Sequence, residues 1–469
     1  MKTDAKYVTT NYIADRLDAN YYSNKYFAIE QKIKNSVYKV VKYQDICDVI
    51  KCGPFGSSVL AENYNDTGII MIRPLNLKEV LLSEDELVRF PEESLGTDFP
   101  VFEAGDILFT RVGTPSCSII PNSIGKITIS PNIIASKLKK TINQYYVAIF
   151  LNTVYGLNQL ERRFKAVSQP TISTDEIKTI DMVLPDVHIQ NYIGNKLRKA
   201  EELREEAKLL KEEAEKSLNQ FLKLDSLEQK INNVLHIKAN YVLPNDMNDR
   251  LDSEHYKKKF TILYEHLKEL ERSKVKVLSL KKIIDEGSYG ILPDSQDYGK
   301  GELIFIRSTD LNDYMIDLDS CEKVPDKYLT PKATVSPGDI LLEIKGAIAG
   351  GAIVPDIKTN AIVNGSIFRF RVKNDFNNFY ILSVLQSIIG SLQKEQHGAN
   401  SVISYLSLDV INNLKIPVID IEKQNEIGDK LKKFVENNMK AKNLIKSAKQ
   451  DVEDLIEGKF DESKISEGV

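Results

Sequence analysis

The chain has 469 residues, 42% of them apolar and 28% charged, enough for two or three domains with sizeable cores. That composition excludes a disordered tail, a collagen-like rod and a disulfide miniprotein. With 63 Lys+Arg against 67 Asp+Glu the formal charge is -4, so any binding to nucleic acid rests on local basic patches, not on a global positive field.

The first 18 residues lack an apolar signal core, and no apolar run approaches membrane-spanning length. Four scattered cysteines (Cys47, Cys52, Cys117, Cys321) supply neither a disulfide framework nor a zinc spacing. The expected setting is a reducing cytoplasm, with no membrane. The string RLDANYY opens the readable pattern at Arg16–Tyr22. Short β-branched runs then read as strands at Val40–Val41, Gly68–Ile72 and Gly105–Phe109. Loops rich in Gly, Pro and Asn separate them, at Val112–Ser118 and Ser130–Asn132. Tyr145–Arg163 is predicted as one helix with an apolar face. After Pro185 the composition shifts to Glu, Lys, Ala and Leu. Ile193, Leu197, Ala200, Ala207, Ala214 and Leu218 lie on a seam of alternating fours and threes, a heptad pattern.

The chain then repeats itself. RLDSEHY at Arg250–Tyr256 follows RLDANYY by 234 residues, and QNEIGDKL (Gln424–Leu431) follows QNYIGNKL (Gln190–Leu197) by the same offset. IRPLNL at Ile72 answers to IRSTDL at Ile306, and GDIL at Gly105 to GDIL at Gly338. Gly53-Pro-Phe-Gly56 aligns at this offset with Gly287-Ser-Tyr-Gly290. Phe379–Gln396 is the second predicted apolar helix, and the second seam runs through Ile427, Leu431, Phe434, Ala441, Ile445, Ala448 and Val452. Each seam helix of ~35 residues has a length of about 50 Å at 1.5 Å per residue. The fold class is therefore α+β, a tandem duplication of one mixed domain, each copy followed by a long helix, the two helices packed closely against each other. The expected boundaries are 1–187 and 226–418 for the globular domains, 188–225 and 419–460 for the helices, and 461–469 for a tail. Lys211 opposite Ile445, with Arg204 and Asn438 one heptad earlier, interrupts the seam; such positions mark looser packing or a docking point.

Catalytic signatures are sparse. No phosphate-binding GxxxxGK[ST] loop, HExxH helix or GxGxxG fingerprint occurs, and the five histidines have no ligand spacing. Asp339, Glu343 and Lys345 superficially resemble the D…ExK arrangement of metal-dependent nucleases. The first copy has Thr110 and Val112 in place of Glu343 and Lys345, and the acids are closely spaced. The expectation is no catalytic residue and no metal site.

Together, RLDANYY, the GPFGSS turn, the GDIL strand and the Q-x-x-IG-x-KL start of a long helix, each in order and most of them twice, resemble the specificity subunit of type I restriction–modification systems. The resemblance covers essentially the whole chain. It implies two target-recognition domains held apart by the two helices, which form an antiparallel coiled coil, and a double-stranded DNA site read in two parts. It also implies two adenine methyltransferase subunits and restriction/translocase subunits as partners. S-adenosylmethionine, ATP and Mg²⁺ would belong to those partners, since a methylated base must be flipped into the methyltransferase's own pocket. The competing readings are a duplicated metal-dependent nuclease and an assembly scaffold that binds no DNA.

Comparing the copies selects candidate DNA-binding residues. Arg73 and Arg307 are shared, and read equally as phosphate clamps or as partners of scaffold carboxylates. The turns beside Ser57, Ser58 and Tyr289 read first as fold-defining, with the serines as possible phosphate donors. Residues that differ suit base reading, with Arg favouring guanine and Gln or Asn favouring adenine. In the first copy these are Arg111, Thr114, Arg162, Arg163, Lys165, Gln169 and Thr171; in the second, Lys345, Lys394, Gln396, His397, Asn400 and Ser401.

Overall fold

The computed structural model describes residues 16–467 except 17, 55–63, 79, 93–98, 166–168, 238–239, 243–246, 248–251, 349 and 399–404. The chain forms two compact units, Met1–Glu205 with Asn438–Val469, and Glu206–Asn437. Among the described residues, no helix is long and apolar enough to cross a membrane. All four cysteines are free.

The first unit contains α1 (Asn24–Lys34), β1 (Lys39–Lys42), β2 (Cys47–Cys52), β3 (Ile69–Ile72), β4 (Val88–Phe90), β5 (Val101–Phe102), β6 (Ile107–Thr110), β7 (Cys117–Ile119), β8 (Ile127–Ile129) and β9 (Ile133–Leu138). It continues with α2 (Gln144–Leu151), α3 (Val154–Arg163), α4 (Thr174–Lys178) and β10 (Asp181–Leu184), and then α5 (Val187–Leu222) begins. One sheet has the order β2-β9-β6-β7 and another β4-β3-β8-β5, while β1 pairs with β10. Strand periodicity explains the layering. Ile107 and Phe109 of β6 face a core that contains all the apolar residues of α2, whereas Leu108 faces the second sheet with Ile133 and Ala135. The run QYYVAIFL is buried from Tyr145 to Leu151, as expected of a helix that is apolar all round.

The second unit follows with α6 (Leu224–Asn232), α7 (Lys258–Arg272), β11 (Lys276–Ser279), α8 (Leu280–Ile283), β12 (Ile284–Tyr289), β13 (Leu303–Ile306), β14 (Leu311–Asn312), β15 (Met315–Ile316) and β16 (Glu322–Val324). Then come β17 (Ile340–Glu343), β18 (Gly351–Ile353), β19 (Ala361–Val363), β20 (Ile367–Val372), α9 (Asn378–Gln386), α10 (Ile388–Gly398), α11 (Leu408–Asn413), β21 (Lys415–Val418) and α12 (Ile421–Ile456). Its sheet β12-β20-β17-β18 repeats the order β2-β9-β6-β7, and β11-β21 repeats β1-β10. The parallel pair β3–β8 returns as β13–β19. The duplication seen in the sequence is thus a duplication of topology.

Two sequence expectations need correction. Tyr145–Arg163 and Phe379–Gln396 are each two helices, broken at Asn152–Thr153 and Ser387. Gly156 and Gly390 follow the breaks, where a Cβ would lie 2.4 Å from the Leu151 Cα and 2.2 Å from the Leu385 carbonyl oxygen; only glycine admits so tight a corner. The second correction concerns the glycine turn. Gly53 packs against the carbonyls of Ile129 and Ser130, and the residue in that place in the second unit is Gly290, against Val363 and Asn364. Cys47–Cys52 pairs with β9 as Ile284–Tyr289 pairs with β20, so the offset here is 237. The cause is α7, which has 15 residues where α1 has 11. The matching G-x-aromatic-G strings are a coincidence of register.

The seams behave as the heptads require. Ile193, Leu197, Ala200, Ala207, Ala214 and Leu218 are buried, as are Ile427, Leu431, Phe434, Ala441, Ile445, Ala448 and Val452. In the first unit Tyr192 meets Phe460, and Lys196 meets Ser447 at 2.9 Å and Asp451. In the second, Lys211 lies over Phe434, Glu213 meets Lys430 at 3.4 Å, and Phe221 meets Lys423. Numbers rise on one helix as they fall on the other, so the paired halves are antiparallel in each unit. The doubtful seam position is resolved by Asp313, whose two oxygens each accept from the Lys211 ammonium at 2.8 Å.

The repeated QN-x-x-G motif joins each long helix to its sheet. Asn143 caps α2 by accepting from the Tyr146 N–H at 3.0 Å, and donates to the Asn191 side chain at 2.9 Å. Gln190 accepts from the Asn143 N–H and donates to the Pro185 carbonyl. Asn377, Asn425 and Gln424 repeat all of these contacts. Gly194 and Gly428 make room, since a Cβ there would lie 2.4 and 2.0 Å from the Asn143 and Asn377 side-chain oxygens. Gly428→Ala should therefore displace the cap and cost about 1–2 kcal/mol. In an Asn377→Ala background the same change should be neutral, or should gain up to about 1 kcal/mol of helix propensity. Urea melts of the four variants check this; a loss that persists without Asn377 would assign the glycine another role.

Candidate nucleic-acid interface

The site is built on the hairpin between β6 and β7, and on its counterpart between β17 and β18. Each turn passes through a left-handed glycine, Gly113 at φ 99° and Gly346 at φ 102°. The residue ending the first strand braces each turn. Thr110 Oγ1 donates to the Thr114 carbonyl at 2.7 Å and accepts from the Ser116 N–H at 2.9 Å. Glu343 accepts from the Gly350 N–H at 3.1 Å. A second segment then adds to the hairpin as a short strand. Ile172 N–H donates to the Arg111 carbonyl and Gly113 N–H to the Pro170 carbonyl, both at 3.0 Å. In the second unit Leu406 N–H donates to the Ile344 carbonyl at 2.9 Å.

The structure therefore brings together residues far apart in sequence. Arg111, Thr114, Lys165, Gln169 and Thr171 lie on one joined pair of loops. Thr114, Lys165 and Gln169 are exposed, while Arg111 and Thr171 are half-buried. Arg111 donates to the Pro131 carbonyl at 3.3 Å, and Lys165 lies 3.7 Å from Glu176. In the second unit Lys345 is exposed on the equivalent loop, bridged to Tyr405. Tyr405, 49% exposed, is the residue that sequence reasoning missed. No composition signal marks it; only the strand pairing does.

Other candidates turn inward. Arg162 donates to the Tyr21 carbonyl at 2.9 Å and to Glu30 at 3.0 Å, with its guanidinium over the rings of Tyr21 and Phe27. Arg163 holds Thr179 through its hydroxyl and carbonyl and donates to the Gln159 carbonyl. The carbonyls at the end of that helix are in turn collected by Arg16, which donates to those of Arg162, Arg163 and Phe164. That gives the RLD motif a structural purpose, because the last carbonyls of a helix lack partners within it. Gln396 is buried between the His255 carbonyl and the Tyr264 hydroxyl, and His397 stands edge-on to His255. Arg73 donates to the Glu86 carbonyl at 2.6 Å and lies over Tyr64. Arg307 pairs with Asp310 at 3.2 Å and Glu322 at 3.3 Å. Tyr289 is half-buried against Phe368. Ser57, Ser58, Asn400 and Ser401 lie outside the described residues.

Lys394 is the unusual member. It is only 3% exposed, in the place where the first unit has the buried Leu160; the neighbouring Gln393 and Gln159 make identical backbone contacts. Burial pushes its ammonium down to about 8, against a smaller upward pull from Glu343. The acid of the nuclease-like triplet is equally committed. Asp339 is fully buried, one oxygen accepting from Arg371 at 2.7 and 2.9 Å, the other from Arg369 and the Ser336 N–H at 2.9 Å each. Among the described residues, no group of His, Cys, Asp and Glu is placed to hold a metal ion.

Residues 272–449 match the family model described as the type I restriction modification DNA specificity domain. The match takes in 178 of the chain's 469 residues and is a similarity to that family. The matched stretch contains β11 to β21 and most of α12, and the first unit repeats its sheet order. The chain is also similar to the type I restriction enzyme MjaVIII specificity subunit of Methanocaldococcus jannaschii, at 28% identity over 145 residues. That alignment covers 28% of this chain and 34% of the relative, so the chain spans about a third of the length of the curated relative it matches. Among solved structures, the type I restriction–modification S subunit from M. genitalium matches with 12% identity and a TM-score of 0.48, over 91% of this chain and 97% of that one. The HsdS subunit from Thermoanaerobacter tengcongensis matches with 13% identity and a TM-score of 0.29, over 90% and 97%.

Proposed function

We propose that this chain is the DNA-reading subunit of a type I restriction–modification complex, itself without catalytic residues. The observation that carries the reading is the specificity domain at residues 272–449, together with a second copy of its sheet and loop arrangement in the first unit. Two readers that share a scaffold but differ in their exposed loops suit a DNA site in two unlike parts. The globular parts, 1–187 and 226–418, supply the reading loops, and the long helices 188–225 and 419–460 supply the framework on which two adenine methyltransferase subunits and the restriction/translocase subunits assemble. S-adenosylmethionine, ATP and Mg²⁺ go with those partners, and the complex acts in the cytoplasm. The nuclease alternative is disfavoured by Asp339, whose carboxylate is taken up by two arginines.

Co-expression with its methyltransferase partner in a host lacking other adenine methylation tests the reading. Single-molecule sequencing should return one two-part motif with a fixed gap, lost when this chain is omitted. Methylation that persists unchanged without the chain, or cleavage of DNA by the purified chain alone, would overturn it.

A further inference from the structure

In the first unit, Val112 and Thr171 form an antiparallel bridge; in the second, Lys345 and Tyr405 form the same bridge. The hydrogen bonds around Val112 and Thr171 run from Ile172 N–H to the Arg111 carbonyl and from Gly113 N–H to the Pro170 carbonyl. They flank the bridged residues instead of joining them, which defines a non-hydrogen-bonded pair. In such a pair the Cα atoms lie about 4.5 Å apart and the two side chains stand side by side on one face. Leu406 N–H to the Ile344 carbonyl sets the same geometry for Lys345 and Tyr405.

That face points outward. Lys345 is exposed, Tyr405 is half-exposed, and Val112 and Thr171 are partly exposed. Tyr289 stands beside Tyr405; burial, and then the neighbouring Tyr405 hydroxyl, push its phenol well above the usual tyrosine range. The bridge itself is common to both units, and in each the left-handed glycine comes one residue later. Only the side chains change, from a compact pair with methyl groups to an ammonium beside a phenol. The chemistry they offer differs accordingly. Val and Thr methyls suit the C5-methyl of thymine, whereas a lysine suits the O6 and N7 acceptors of guanine.

We propose that this bridge is an exchangeable reading pair, Val112/Thr171 favouring an A·T pair in one half of the DNA site and Lys345/Tyr405 a G·C pair in the other. The proposal rests on the reading of the chain as a DNA-recognition subunit. Its test is a swap in the full chain, co-expressed with the methyltransferase partner and read by sequencing methylated adenines. Val112→Lys with Thr171→Tyr should move one or two positions of one half-site from A·T towards G·C, by roughly tenfold or more in preference, with the other half unchanged. Lys345→Val with Tyr405→Thr should make the opposite change in the other half only. Both pairs sit on the surface of the loops, and a melting temperature close to that of the unaltered chain verifies folding. Unchanged motifs from both folded swaps would overturn the pair while leaving DNA reading intact; a folded swap that methylates no site would also overturn the exchange. A motif that does not depend on this chain at all would instead remove the reading on which the proposal stands.

Discussion

Asp339→Ala should cost the second unit about 3–5 kcal/mol, the usual consequence of removing one partner from a buried ion pair. The carboxylate is fully buried and receives four donors, three of them from Arg369 and Arg371. Removing it leaves Arg369, itself only 6% exposed, with the exposed Glu286 as its remaining carboxylate. The first unit provides the contrast. There Asp106 has Lys137 at 3.6 Å, and Ala135 stands where the second unit has Arg369. Arg369→Ala, which copies that arrangement, should cost less than Asp339→Ala, because Arg371 and the Ser336 N–H still hold the carboxylate. Urea melts that follow the second unit check the order. A loss below about 1 kcal/mol for Asp339→Ala would mean that the group is far better hydrated than its burial indicates.

Lys394→Leu should act in the opposite direction. The lysine's ammonium is depressed from 10.5 to about 8, a cost of about 3 kcal/mol at one pKa unit per 1.36 kcal/mol. A lowered lysine pKa means that the unfolded chain binds more protons between about 8 and the unfolded value. Stability therefore rises with pH across that window, and the full cost is present below it. The variant takes its residue from Leu160 of the first unit, which is buried in the same place. It should be more stable at pH 7 by up to about 3 kcal/mol, with the gain fading as pH rises from about 8 to about 10. A gain independent of pH would point to packing instead of charge.

What the sequence disclosed, and what it concealed, follows from how far apart the interacting residues lie. The seams were legible because a helix places residues three and four apart on one face, so Ile193, Leu197 and Ala200 declare their burial through spacing alone. The duplication was legible for the same reason: it needs only comparison of the chain with itself. The glycine turn was misregistered because the longer α7 shifts β11 and β12 by three residues before β13 restores the offset, and no residue marks that shift. Arg162 and Arg163 looked available because they end a helix and precede a polar loop. Their partners, Tyr21, Glu30 and Thr179, come from segments that only the fold brings near. Tyr405 escaped for the converse reason. Its position opposite Lys345 is a fact of strand pairing, which local pattern cannot reveal.

The division of the two long helices between the units also orders events during synthesis. The core of the first unit includes Ile193, Leu197 and Ala200 from α5, but also Ala441, Ile445, Ala448, Val452 and Leu455 from the end of α12. Its sheets are made early, yet that core stays open until the last part of the chain emerges. The second unit, Glu206–Asn437, is continuous and can close first. At roughly 5–20 residues per second, the 233 residues from Glu205 to Asn438 leave the α5 face uncovered for roughly ten to fifty seconds. Ala200 on that face presents little apolar surface to a wrong partner, while still admitting the close approach that the correct helix makes when it arrives.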